Sequence, residues 1–321
     1  MAGAQFLLPN KPTSSPKDDT GEKYLISIVG PTASGKTELS LILAEYYQTE
    51  ILSADSRQIY KEMNIGTAKR TKAELATIDH HFINHLSVAD DYSAGKYEQE
   101  ALPVLERLFE KHALVILVGG TGLYIDAVLK GLDKLPPVDK ELREKLNKDF
   151  AEKGITYLQE LLMEKDPDHH ENVDLNNPQR LIRALEVTIG TGKPYSSFRT
   201  GQTKQRPFKT IKIGLFPGKG ILSDNIEARV ERMIEQGMVD EVISLLAYRN
   251  HSALQTVGYT ELFEYMDGKY SLQEAEELIK RNTRRYAKRQ MTWFKKDEEI
   301  RWFMGTNADE VIKHIETITH R

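Results

Sequence analysis

The chain contains no cysteine in 321 residues. That excludes disulfides and thiolate-held zinc, and it suits a reducing cytoplasm. No apolar run is long enough to cross a bilayer, so no membrane partner is expected. Residues 1–22 lack the apolar stretch of a secretory signal: they are rich in Pro, Ser, Lys and Asp, and only Phe6, Leu7 and Leu8 are apolar together. They read as a disordered tail. Positive charge is not in excess. The 44 Lys and Arg against 48 Asp and Glu leave a formal charge of −4, which by itself argues against a polyanionic partner. There is no internal repeat.

What is present is more specific. GPTASGKT, residues 30–37, fits the phosphate-loop pattern G-x-x-x-x-G-K-[ST]. Upstream, Leu25-Ile26-Ser27-Ile28-Val29 reads as a buried strand; downstream, Leu39, Ile42, Leu43 and Tyr46 recur at helical spacing. A phosphate loop requires this strand–loop–helix context, which a chance glycine turn lacks. Gly30 and Gly35 let the backbone turn its N–H groups inward, and Pro31, Thr32, Ala33 and Ser34 complete the cradle. The helix N-terminus adds partial positive charge, Lys36 adds a full one, and the Thr37 hydroxyl is placed to ligate Mg²⁺.

Further strands are expected at Glu50 to Ser53, Leu114 to Val118, Lys212 to Phe216 and Ile300 to Phe303, with helical patterns between most of them. That alternation predicts an α/β fold with a parallel sheet. Residues 139–200 differ: Leu142, Leu146 and Phe150, then Leu158, Leu161 and Leu162, then Leu181 and Leu185 keep helical spacing, with little strand signal. The organisation expected is a tail at 1–22, a phosphate-loop core at 23–138, a helical insertion at 139–200, and the rest of the core at 201–321.

An ordinary phosphate-loop hydrolase ends an apolar strand in Asp, which helps hold Mg²⁺. Here Leu114–Val118 runs into Gly119-Gly120-Thr121-Gly122, and an acid appears instead after the second strand, in Ser53-Ala54-Asp55-Ser56-Arg57-Gln58. Ligands in open α/β sheets sit beyond the carboxyl ends of the strands, so Asp55 and Thr121 should both project toward the loop. Asp55 then either takes a proton from a nucleophile or caps a helix over Gln58 to Met63. A second concentration of charge lies at Lys280 to Lys296, with eight Lys or Arg, no acid, and Tyr286, Trp293 and Phe294 interleaved. Arg281, Arg285, Lys288 and Lys295 fall near one helical face, which either tracks a phosphate backbone or is simply solvated.

Six stretches occur in order: GPTASGKT, SADSRQIYKEMNIGTAK (53–69), VGGTGLY (118–124), NPQRLIRALEV (177–187), VGYTEL (257–262) and KRQMTWF (288–294). Together they resemble the tRNA dimethylallyltransferase, or tRNA isopentenyltransferase, family. The resemblance implies a P-loop NTPase-like parallel sheet flanked by helices, with an inserted all-helical domain. It implies that the loop holds the diphosphate of dimethylallyl diphosphate rather than a nucleoside triphosphate. The five-carbon unit would pass to N6 of the adenosine 3′-adjacent to the anticodon of tRNA, with Mg²⁺ as cofactor. Separately from the resemblance, a monomer is the expected form. Carried over, Gly30 to Thr37 cradle the diphosphate with Lys36 central, Asp55 is the general base, Thr121 contacts the reacting region, and Arg229 lies near the diphosphate. Ser56, Arg57 and Gln58 face the tRNA. So do Gln179, Arg180, Leu181, Ile182 and Arg183, then Gln255, Gly258 and Tyr259, and Lys288, Arg289, Gln290 and Trp293.

The chain departs from common family patterns at Arg70, where many members have Pro, at Asn84, where many have Asp, and at Asn177, also Asp in many. Two rival activities share the loop: a small-molecule kinase, and an isopentenyltransferase using free adenine nucleotides. A non-enzymatic RNA-binding protein would leave Asp55 and Thr121 without a purpose. His81 and His85, four apart, would suit a metal only on a helix with a third ligand, and none is placed. His169-His170 reads as a polar loop, Trp293 and Trp302 as core or interface anchors, and Lys193 as a helix-end cation or a phosphate contact.

Overall fold

The computed structural model describes residues 21–71 and 75–320. The tail expected over residues 1–22 therefore lies, up to Thr20, outside the described residues. In chain order the elements are β1 (Tyr24–Val29), α1 (Lys36–Tyr47), β2 (Ile51–Ser53), β3 (His80–His81), α2 (Ala94–Leu108), β4 (Leu114–Val118) and α3 (Gly122–Leu129). Next come α4 (Lys140–Lys165), α5 (Pro167–Asn172) and α6 (Pro178–Thr191), followed by β5 (Lys209–Leu215), α7 (Lys219–Glu235) and α8 (Met238–Ser244). The chain ends with α9 (Tyr259–Met266), α10 (Leu272–Phe294), β6 (Arg301–Phe303) and α11 (Ala308–Thr319).

The six strands form one sheet in the order β3-β2-β4-β1-β5-β6, and every neighbouring pair is parallel. β1 is buried along its whole length, which is why it reads as an unbroken apolar run rather than an alternation. Leu39 and Leu43 of α1 and Val311, Ile312 and Ile315 of α11 pack with Ile26, Ile28, Ile116 and Ile213 in the core beside the sheet. Each such side chain contributes roughly 1.5–3 kcal/mol by leaving water. The register matters most for function. Ile28 pairs with Val118 and with Ile213, and Ser53 pairs with Val118. β1, β2 and β4 thus end side by side, and the turns that follow them leave the sheet at one edge.

Two local expectations are corrected. Residues 58–63 form turns rather than a helix. The backbone there pairs across to residues 84–86: Lys61 N donates to Leu86 O (2.8 Å), His85 N to Ile59 O (2.8 Å) and Asn84 N to Gln58 O (3.3 Å). Those bonds to a distant segment replace the four-residue ladder of a helix. His80-His81 lies on strand β3, so the helical spacing with His85 does not arise. His81 Nε2 meets Glu50 at 2.8 Å, while His85 Nε2 lies 3.3 Å from Glu100.

Lys130–Gln205 forms a compact unit of its own, and the rest of the chain forms the other. In the smaller unit, α4 is broken at Gly154, whose φ of 78° lies in the left-handed region. Leu146, Leu158 and Leu162 of α4 pack with Leu181, Ile182, Ala184 and Leu185 of α6. Asn177 caps α6 by accepting from Arg180 N (3.2 Å), and Pro178 follows at the first helical position. Asp166 is fully buried and accepts from His169 N (3.1 Å), Ser196 N (2.8 Å) and Ser196 Oγ (2.7 Å). His169 is not in a loop: it sits in α5, buried edge-on against Tyr195 at 4.7 Å, and burial lowers its pKa. No helix among the described residues is long and apolar enough to cross a membrane.

Candidate active site

The edge where β1, β2 and β4 end opens into a cleft of about 750 Å³. Thr32 to Thr37, Asp55 to Gln58, Thr121 and Arg229 all line it. Residues up to 197 positions apart are thus brought together by sheet register and by one long helix of the second half.

The phosphate loop is shaped by backbone conformation. Gly35 precedes α1 with φ 90°, a left-handed value that favours glycine. Lys36 is half-buried and folds back so that Nζ donates to Pro31 O at 2.5 Å. Burial, and next the nearby Arg229 charge, push the Lys36 ammonium down to about 7, with Asp55 partly opposing both. Arg229 is itself pushed down, first by burial and then by Arg232, with Asp55 opposing. Two cations held close in a dehydrated cleft are poorly matched to each other and well matched to a polyanion between them. The Ser34 hydroxyl lies in the same loop, buried and without a partner among the described residues.

Asp55 sits just past β2. Its Oδ1 accepts from Arg57 N (2.8 Å) and Gln58 N (3.1 Å), so it does cap the turns that follow, while also lining the cleft. Thr121 faces it across the strand ends: its Oγ1 accepts from Ser56 N (3.0 Å) and donates to Ser56 Oγ (3.2 Å). Arg57 Nη1 reaches Ser252 O (3.2 Å), and Gln58 Nε2 donates to Thr67 O (3.1 Å).

The expected tRNA-facing residues divide. Gln179 and Arg180 are exposed on α6, and Arg183 beside them is tied to Glu186. Leu181 and Ile182 are fully buried in the core of the helical unit, so they are corrected from RNA contacts to packing residues. Gly258 lines the cleft, and Gln255 is exposed with Nε2 donating to Arg249 O (2.7 Å). Tyr259 is fully buried with its hydroxyl on Glu241 (2.7 Å), and it too is corrected to a packing role. Lys288 and Arg289 are exposed on α10. Trp293 is partly exposed, its Nε1 donating to Asp126 Oδ2 (3.0 Å), and it acts as an anchor. Trp302 is half-buried and packs closely over Gly214. Lys193 is exposed just beyond α6.

Gln290 is the largest correction. It is buried, Thr32 N donates to its Oε1 (2.8 Å), and its Nε2 donates to Gly120 O (2.9 Å). The amide therefore ties the phosphate loop to the glycine turn while lining the cleft. A Cβ on Gly120 would lie 2.3 Å from that nitrogen, so only glycine admits the contact. Tyr286, one turn earlier, was legible only as an aromatic in the basic run. It lines the cleft and is hydrogen-bonded to the Thr121 side chain; burial and then the Asp55 charge push its phenol up to about 12.

The basic run is partly neutralised. Lys280 is buried among Glu276 (2.8 Å), Glu231 (3.1 Å) and Glu277 (3.2 Å), and Arg284 pairs with Glu227 (2.5 Å). Arg281, Arg285, Lys288, Arg289, Lys295 and Lys296 remain exposed.

A phosphate loop opening a parallel α/β sheet, with a carboxylate and two cations in the cleft above it, defines a class: α/β enzymes of the phosphate-loop type. Comparison narrows the class. The chain matches the IPP transferase family over residues 58–297, and it belongs to that family. It is 49% identical over 294 residues to a tRNA dimethylallyltransferase of Cytophaga hutchinsonii, covering 92% of this chain and 97% of that one. It is 50% identical to a tRNA dimethylallyltransferase of Christiangramia forsetii, covering 92% and 98%. Among solved structures, the tRNA isopentenylpyrophosphate transferase of Bacillus halodurans superposes with a TM-score of 0.67 at 36% identity, covering 92% of this chain and 95% of that chain. A eukaryotic dimethylallyltransferase captured acting on tRNA gives 0.77 at 25% identity, covering 94% and 80%.

Proposed function

We infer that this chain transfers a dimethylallyl group from dimethylallyl diphosphate to N6 of the adenosine 3′-adjacent to the anticodon in tRNA, releasing diphosphate. The observation that carries the reading is the convergence of Lys36, Arg229, Asp55 and Thr121 in one cleft above a phosphate loop. The similar proteins named above support it by their own activity and substrate.

The chemistry asks for these groups. An adenine N6 amine is a poor nucleophile, because its lone pair is delocalised into the ring. An allylic carbon compensates by tolerating positive charge while its bond to the diphosphate oxygen breaks. Lys36, Arg229 and the loop N–H groups stabilise the negative charge that gathers on the leaving diphosphate. As the new N6–carbon bond forms, Asp55 accepts the N6 proton. The adenosine reaches such a cleft only when turned out of its stack.

Mg²⁺ fits this arrangement. Among the described residues no cluster of three or more His, Asp or Glu would cage a metal, while the Thr37 hydroxyl is exposed at the start of α1 within the cleft lining. That donor set suits an ion held chiefly by water and phosphate oxygens. Thr37 would hold the ion, which when bound supplies further neutralisation of the diphosphate. We take a monomer as the working form. The absence of cysteine agrees with a cytoplasmic setting.

Incubation with labelled dimethylallyl diphosphate and either unmodified tRNA or AMP tests the reading. Label entering tRNA alone supports it; label entering AMP alone would transfer the case to the free-nucleotide rival. The exposed face of α10 gives a second check. Replacing Arg281, Arg285 and Lys288 by Ala should flatten the slope of log tRNA affinity against log salt, by up to about 0.9 for each phosphate no longer neutralised. Different tRNAs should weaken alike, because phosphate contacts position without specifying. Affinity for dimethylallyl diphosphate should not change. An unchanged slope in folded protein would mark that face as merely solvated.

A further inference from the structure

We propose that Glu241 is a positioning residue for Arg229, acting through the turn Asn64–Thr67; the inference rests on Arg229 serving the diphosphate. Glu241 lies on α8, whose Met238 lines the cleft. Its Oε2 accepts from Asn64 N (2.9 Å) and Ile65 N (2.7 Å), and its Oε1 from Gly66 N (3.0 Å) and Tyr259 Oη (2.7 Å). Four donors converge on one side chain, and only an ionised carboxylate, which accepts without donating, meets all four.

The same turn is closed from its other end. Ala68 N donates to Ile65 O (2.9 Å) and Lys69 N to Asn64 O (3.0 Å). The Lys69 ammonium donates to Tyr60 O (2.6 Å), Asn84 Oδ1 (2.8 Å) and Asn64 Oδ1 (3.2 Å). Ala68 is held at φ 47°, a left-handed value that strains a non-glycine residue. A turn that carries such strain persists only when its surroundings fix it.

What this fixed turn presents to the cleft is the Thr67 carbonyl. It accepts from Arg229 Nη2 (3.1 Å) and from Gln58 Nε2 (3.1 Å). Arg229 thus has one arm of its planar fork anchored, with the remaining N–H groups available to an anion. The anchor has work to do before substrate arrives, because the neighbouring Lys36 charge repels the guanidinium. A single carbonyl, steadied by the Gln58 amide, therefore sets the aim of a diphosphate cation. Glu241 sets that carbonyl.

Glu241→Gln tests this. The glutamine amide brings N–H donors into a ring of N–H and O–H donors, so the turn must shift. A displacement on the order of 1 Å at such a group costs about 10²-fold. With dimethylallyl diphosphate and unmodified tRNA, kcat should fall by about 10–10²-fold while tRNA affinity holds. Tyr259→Phe removes one donor of the four and should give a smaller fall in the same direction, should the glutamine variant fail to fold. The deciding measurement is a cycle with Arg229→Ala, read both in turnover and in calorimetric titration with inorganic diphosphate. If Glu241 acts through Arg229, the double variant is no worse than Arg229→Ala alone, whereas independent effects would multiply. Multiplying losses, or unchanged diphosphate affinity in folded E241Q, would overturn the inference. So would an Arg229→Ala variant that binds diphosphate as the wild type does. The titration arm does not depend on tRNA transfer, so loss of the tRNA reading would show separately, as wild-type protein that binds diphosphate and prenylates no tRNA.

Discussion

Asp55→Ala should reduce single-turnover transfer by about 10²–10⁴-fold, the usual loss for a general base. Binding of tRNA and of dimethylallyl diphosphate should change far less, because a proton acceptor is removed and not a phosphate contact. The alanine variant alone is ambiguous, since Asp55 also caps the turn through Arg57 N and Gln58 N. Asp55→Asn resolves it. The amide oxygen still accepts both backbone bonds, yet the side chain no longer takes a proton. An asparagine variant as slow as the alanine one assigns the loss to proton transfer. An asparagine variant near the wild-type rate would reduce Asp55 to a cap, and the base would have to be sought elsewhere in the cleft.

Lys36→Ala should weaken binding of dimethylallyl diphosphate and slow the chemical step by about 10²–10³-fold, because the group it opposes gains charge as it leaves. Binding of tRNA should be nearly intact. The depressed ammonium adds a pH signature. Burial, and next the Arg229 charge, hold Lys36 at about 7 in the unliganded protein. The protonated form is the one that attracts the diphosphate, so affinity should be full below pH 7 and fall as the pH rises through it. For one proton the fall approaches tenfold per pH unit. Lys36→Ala should abolish that inflection. Arg229→Ala should move it upward, since a repelling charge has gone. Titration calorimetry of the wild type from pH 6 to about 9 reads all of this. An affinity flat across that window would show that Lys36 is not the group being titrated.

Much of this was legible because the signals are local. A buried parallel strand such as β1 carries its own apolar run, and the phosphate loop carries its own glycines, lysine and threonine. The residues that escaped act over distance. Gln290 meets Thr32 and Gly120, and Glu241 meets the turn at 64–66, contacts that no periodicity announces. A motif also spans more than one face of its helix, so its residues do not share one role. In α6, Leu181, Ile182, Leu185 and Ala184 turn inward while Gln179 and Arg180 turn out. The helical period alone divides that motif into a packing face and a solvent face. The Gln58–Met63 segment failed for another reason: its hydrogen bonds go to residues 84–86, a partner that sequence proximity cannot supply. β3 escaped because two half-buried histidines offer neither alternation nor an apolar run.

The Gln290 amide has a consequence for how α10 tolerates change. Its oxygen must face the Thr32 N–H and its nitrogen must face the Gly120 carbonyl. Glutamate lacks the donor, methionine and leucine lack both, asparagine is one methylene short, and arginine and lysine lack the acceptor. No other open-chain side chain of that reach offers both polarities at pH 7. Two residues earlier, Lys288 projects into solvent, where arginine would serve a phosphate about as well. A library of substitutions along this helix would therefore read like a lock with one fixed pin among loose ones. The fixed pin is an uncharged residue set among the basic ones of this helix.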